Sequence, residues 1–138
     1  MLKDEKSDTP YTPTPSYFLG GFDIYDREET LGVELEKYNP EDPNERIKLI
    51  ERYCLDRYKH LSHRHKFLLL KSLESALLDR NYDFGQLLED TPEEHSSLPY
   101  GWDEMQNPRG FFEEIFRLAS LHWKEDLAKA SLENPLEW

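Results

Sequence analysis

Nowhere do apolar and polar residues alternate far enough for a β-strand, while three long stretches repeat apolar residues at the 3.6-residue spacing of a helix that buries one face. Ile47, Ile50, Cys54, Tyr58 and Leu61 form the first stripe. Phe67, Leu70, Leu73 and Leu77 form the second, and Leu68, Leu69, Ala76 and Leu78 widen it, which predicts a central helix. Phe112, Ile115, Phe116, Ala119, Trp123, Leu127 and Ala130 form the third. Start signals precede each stripe. Asp42 is placed to cap, with Pro43 at the first helical position and Glu45 closing a capping box. The chain breaks again at Ser62, and Asn107-Pro108 opens a last helix expected to run to about Glu133, short of Pro135.

Weaker signals fill the remainder. Asp26 and Glu29 read as a capping box for a helix from about Asp26 to Tyr38, ended by Asn39-Pro40. Asn81 is placed to end the central helix, Asp83 and Gln86 open a short one, and Thr91-Pro92-Glu93-Glu94 predicts one further turn. Pro10, Pro13 and Pro15 make residues 1–25 an extended arm, its first nine residues mobile and residues 16–25 laid across the helices by Tyr17, Phe18, Phe22 and Tyr25. The expectation is an all-α fold in one domain, residues 1–138: a bundle of four to five main helices with that N-terminal arm.

Composition narrows the classes. Only 37% of residues are hydrophobic, yet 13% are aromatic, and disordered chains are poor in rings. A net charge of -12 disfavours nucleic acid as a direct ligand, since phosphate binding needs a basic surface. The single cysteine, Cys54, allows no internal disulfide and reads as a small buried residue, with Arg52, Arg57 and His60 leaving a reactive thiol as the lesser alternative. No apolar segment follows the charged start Met1-Leu2-Lys3-Asp4-Glu5-Lys6, and the run Phe67-Leu68-Leu69-Leu70 is far too short for a bilayer. A cytoplasmic protein without membrane contact is expected.

Signs of catalysis are missing. Gly20-Gly21 lacks the spacing and the Lys-Ser/Thr successor of a phosphate loop, and no Gly-x-Ser-x-Gly elbow occurs. His60, His63 and His65 straddle a helix break without a Cys or Glu at zinc-motif spacing, His95 reads as surface, and His122 as a core or boundary residue. Carboxylate pairs are too frequent for any one to be diagnostic. The expectation is no enzyme, no metal and no cofactor.

Charge is segregated along the chain. Residues 23–45 carry nine acids and two bases, residues 46–80 nine bases and four acids, and residues 81–106 seven acids with no Lys or Arg. For the first acidic block the plain reading is that it folds against the basic helical pair. The second block holds Tyr82, Tyr100 and Trp102 among its acids, in the least regular internal segment. Loops on a rigid scaffold concentrate binding residues, and aromatic anchors ringed by carboxylates suit a basic protein partner. The candidate contacts are Glu93, Glu94, Tyr100, Trp102, Asp103 and Glu104, with Asp83, Glu89 and Asp90 in a second rank. The alternative for Trp102 is a plug at the end of the bundle.

The stretch Leu98-Pro99-Tyr100-Gly101-Trp102-Asp103, followed by Asn107-Pro108-Arg109-Gly110-Phe111-Phe112-Glu113-Glu114-Ile115, resembles small bacterial immunity proteins of polymorphic-toxin systems, including contact-dependent growth inhibition. The resemblance covers about a third of the chain and is one of texture. It implies a stoichiometric inhibitor that masks the active site of a cognate toxin domain, often a nuclease with a basic cleft. The alternative is a non-catalytic helical adaptor or regulatory subunit that binds another cytoplasmic protein through the same surface.

Overall fold

The second of the predicted helices shows how sequence becomes structure here. Asp42 accepts hydrogen bonds from the backbone N–H of Asn44 (2.9 Å) and Glu45 (3.1 Å), so two donors that a helix start leaves unpaired are satisfied. Glu45 does not return the bond to Asp42 as a capping box would. Its carboxylate reaches the N–H of Asn39 instead and ties the helix start to the preceding turn. In the computed structural model, which describes residues 1–90 and 96–138, this helix begins as α2 (Pro43–Leu49) and passes through a π-helical stretch, Ile50–Leu55, into α3 (Asp56–Tyr58) without a break.

The described residues are helical and contain no strand. A π-turn over Glu28–Gly32 leads into α1 (Val33–Leu35). The cap differs from expectation: Asp26 sits in the left-handed region at φ 60°, and Arg27 takes the cap position without a side-chain bond. Ser62 starts α4 (His63–Leu78) by accepting from the N–H of His65 at 3.1 Å. Asn107 likewise starts α5 (Pro108–His122) by accepting from Gly110 at 3.0 Å. The final helix is broken where one unbroken rod was expected. Trp123 leaves helical geometry, and α6 (Lys124–Ser131) follows.

The centre of the fold is α4, which packs on α5 and α6. Leu70 and Leu73 of the stripe and Leu69 and Ala76 beside it are buried, Phe67 and Leu77 are half-buried, and Leu78 is 77% exposed because the helix ends there. Asn81 is not the cap. The Arg109 guanidinium closes this end, donating to the carbonyls of Leu77 (3.1 Å), Asp79 (2.9 Å) and Tyr82 (3.3 Å) while lying over the Phe84 ring.

The N-terminal arm is not extended throughout. Pro15–Phe22 winds as a 3-10 helix and drives Phe18, Leu19 and Phe22 into the core. Phe18 stacks on Trp123 at 6.2 Å, and Phe22 meets Trp102 at 5.0 Å. This close approach requires Gly21, because a Cβ there would lie 1.8 Å from the Tyr53 carbonyl oxygen within the π-helical stretch. Residues 1–9, read from sequence as mobile, close into a turn through the antiparallel bridge between Lys3 and Pro10. His60 pairs with Glu5 at 2.8 Å, and His65 Nε2 donates to the Lys3 carbonyl at 2.8 Å.

Candidate functional site

The acidic loop segment is held down by its own carboxylates. Asp83 accepts from the N–H of Gln86 (3.2 Å), which starts the short 3-10 turn Gly85–Leu88. Asp90 accepts from the N–H of Leu98 at 3.2 Å. Asp23, from the first acidic block, accepts from both Tyr25 and Ser97 at 3.0 Å, and Ile24 donates to the Ser97 carbonyl. Asp83 and Asp90 therefore serve the fold, whereas Glu89 is exposed with no partner among the described residues. Glu93 and Glu94 lie outside the described residues.

Beyond Leu98 the chain makes one sharp corner. Trp102 donates its N–H to the Pro99 carbonyl at 3.1 Å, and Gly101 between them has φ 87° and ψ -8°. Those angles belong to the third residue of a type II turn, where glycine is favoured. Tyr100 is consequently the corner residue and is 95% exposed. Trp102 points the other way. It is 3% exposed, packed on Phe22 and on Phe111 at 5.6 Å, and so is a core plug and not a surface contact. Asp103 and Glu104 follow on the short turn Trp102–Glu104, both exposed and both without a partner among the described residues.

The turn faces part of the first acidic block. Glu41 Oε1 accepts from the N–H of Gln106 at 2.8 Å, which joins the two blocks. Between them lies a cleft of about 400 Å³ lined by Leu35, Glu36, Tyr38, Glu41, Tyr100 and Met105, among others. Sequence reasoning did not single out Glu36, Tyr38 or Glu41. Their signal was present in the charge count of residues 23–45, but that block was expected to fold against the basic pair.

It does fold against the basic block, Tyr53 donating to Glu34 at 3.0 Å and the Tyr38 and Tyr53 rings meeting at 6.1 Å, but without ion pairs. Among the described residues no acid of 23–45 or 81–106 forms an ion pair with a Lys, Arg or His. The bases and histidines of 46–80 find other partners: Lys66 pairs with Asp126 at 2.7 Å, Arg64 and His63 with Glu133 at 3.0 Å, and His60 with Glu5. Arg46 donates to the carbonyls of Pro40 and Glu41, and Arg52 to the Tyr38 hydroxyl. Glu36 and Glu41 line the cleft beside Tyr100 and form no ion pair among the described residues, and such carboxylates attract cations and repel phosphate.

The remaining chemical candidates are inert or structural. The Cys54 thiol is fully buried and burial pushes its pKa up, which removes the reactive-thiol alternative. Tyr53 is pushed up to about 12, by burial first and then by its bond to Glu34. His122 pairs with Glu51 at 2.7 Å on the surface. Among the described residues no group of three His, Cys, Asp or Glu side chains is arranged to hold a metal ion, and no helix is long and apolar enough to cross a membrane.

The sequence stretch that carries the family resemblance is largely accounted for by packing. Asn107 caps, Pro108 starts α5, Arg109 closes α4, and Phe111 and Phe112 are fully buried. Gly110 leaves room for the Asn107 cap, since a Cβ there would lie 2.4 Å from that side chain and displace it. Comparison with known proteins adds no relative: no family model, curated protein or solved structure matches the chain.

Proposed function

We propose that this chain is a stoichiometric inhibitor of the immunity-protein kind, which binds a basic toxin domain and blocks it through the acidic face around Tyr100. One observation carries the reading. Two acidic blocks meet at an exposed tyrosine on a type II corner, and their carboxylates form no ion pair among the described residues. An enzyme that binds a polyanion presents a basic cleft, and an acidic protein occupies the same field. Carboxylates such as Asp103 and Glu104 steer association, while Tyr100 limits dissociation. The helical scaffold, read as a bundle of four to five main helices with its N-terminal arm packed alongside, supplies the rigidity. In this reading the protein acts in the cytoplasm, carries no cofactor and catalyses nothing.

Most residues of the stretch that resembles immunity proteins serve the fold, so the acidic face carries the reading. The helical-adaptor reading uses the same face but predicts no inhibition. The test is capture of basic partners with the native chain and with the Asp103→Lys, Glu104→Lys double variant as paired baits. Assay of the captured partner follows. The proposal expects a partner captured only by the native chain, whose activity falls to zero at one equivalent. A partner that binds and keeps its activity favours the adaptor, and equal capture by both baits rejects the face.

A further inference from the structure

We infer that the cleft beside Tyr100 seats an arginine side chain of the partner protein, an inference that rests on reading this face as the partner-binding one. Leu35, Trp102 and Met105 line it and are each at most 8% exposed, so it has an apolar floor that can cover the methylene stem of a long cation. Tyr38 and Tyr100 line it with aromatic side chains, and Glu36 and Glu41 supply charge, while no Lys or Arg lines the cleft. Glu41 is fixed in place. Its Oε1 holds the N–H of Gln106, and its second oxygen has no partner among the described residues.

The neighbouring guanidinium groups do not fill the cleft. Arg46 is held by the carbonyls of Pro40 (2.8 Å) and Glu41 (3.3 Å), and Arg52 by the Tyr38 hydroxyl (2.7 Å). Arginine fits the walls better than lysine because a planar guanidinium stacks on a tyrosine ring while its N–H edge meets carboxylates. A phosphate is repelled by the same two glutamates. An apolar side chain would use the floor and leave both carboxylates unused.

Titration of the isotope-labelled full chain with three capped tripeptides tests this: Gly-Arg-Gly, its neutral citrulline counterpart, and Gly-Leu-Gly. The arginine peptide is expected to shift the Gly101 and Gln106 amides and the Trp102 indole saturably, and the other two are not. Glu41→Gln keeps the acceptor for Gln106 but removes the charge, and should weaken the arginine peptide about ten-fold. Equal shifts from citrulline or leucine overturn the inference, as do arginine shifts that spread over Asp83, Glu89 and Asp90 without saturating. If the peptide fails while Asp103→Lys, Glu104→Lys still slows the basic partner, only the cleft assignment falls. If the peptide binds but those reversals leave the partner unaffected, the partner-binding face falls and takes the source of the arginine with it.

Discussion

The basic centre and the acidic face use charge in opposite ways. In the centre, one charged group is buried in the fold: the Lys66 side chain is 7% exposed, donates to Asp126 and the Lys59 carbonyl, and lies over the Trp123 ring. On the face, Glu36, Glu89, Asp103 and Glu104 are exposed and have no partner among the described residues. The difference separates charges that hold this protein together from charges left available to another molecule. Substitution should therefore damage stability in one region and binding in the other.

The largest effect expected is at the buried pair. Asp126→Ala strands the Lys66 ammonium, and denaturant unfolding should show a loss of about 3 kcal/mol, the lower end for breaking a buried pair because Asp126 is itself 40% exposed. Arg109→Met comes next. It leaves the carbonyls of Leu77, Asp79 and Tyr82 without their donor and should cost about 2 kcal/mol by the same measurement. Arg109→Lys should recover only part of that, since a lysine lacks the fork that reaches several carbonyls.

The acidic face should behave differently. Asp103→Lys with Glu104→Lys is expected to leave stability within about 0.5 kcal/mol of the native chain, or to raise it by relieving repulsion. Tyr100→Ala should leave the thermal midpoint unchanged and act on the dissociation rate of a complex, because the ring is 95% exposed in the free protein. A loss of stability from either variant would break the contrast.

The smallest effect concerns acid. The Arg64 guanidinium bonded to Glu133 holds its carboxyl below the ordinary value of 4.5, and His63 adds to the lowering. A carboxyl whose pKa is lowered by folding contributes stability that is complete above its unfolded value and lost as pH falls through the folded one. Glu133→Gln should accordingly lower stability slightly at neutral pH, where the contribution is complete, and converge on the native chain as pH falls below the ordinary carboxylate range.

Much of this contrast was legible in the sequence. The helix-period stripes and the Asp42, Ser62 and Asn107 caps are local signals, and local hydrogen bonds fulfil them. Non-local decisions were not legible. Asp26 looked like a cap, but the chain enters α1 through a left-handed residue. Pro15–Phe22 looked extended, yet Gly20 and Gly21 let it coil onto the π-helical stretch Ile50–Leu55 and α3. Trp123 continued a perfect stripe, but it ends α5. At the site, the acidity and irregularity of the Tyr100 segment were readable from its composition. That Trp102 turns inward, and that Glu36 and Glu41 arrive from another segment, depend on packing across the molecule.

The most direct test is the association rate of the captured basic partner as ionic strength rises, for the native chain and for Asp103→Lys, Glu104→Lys. The account predicts a native rate that falls steeply with salt, and a variant rate that is slow at low salt and nearly flat. A native rate indifferent to salt, or a variant that associates as fast as the native chain, would contradict it.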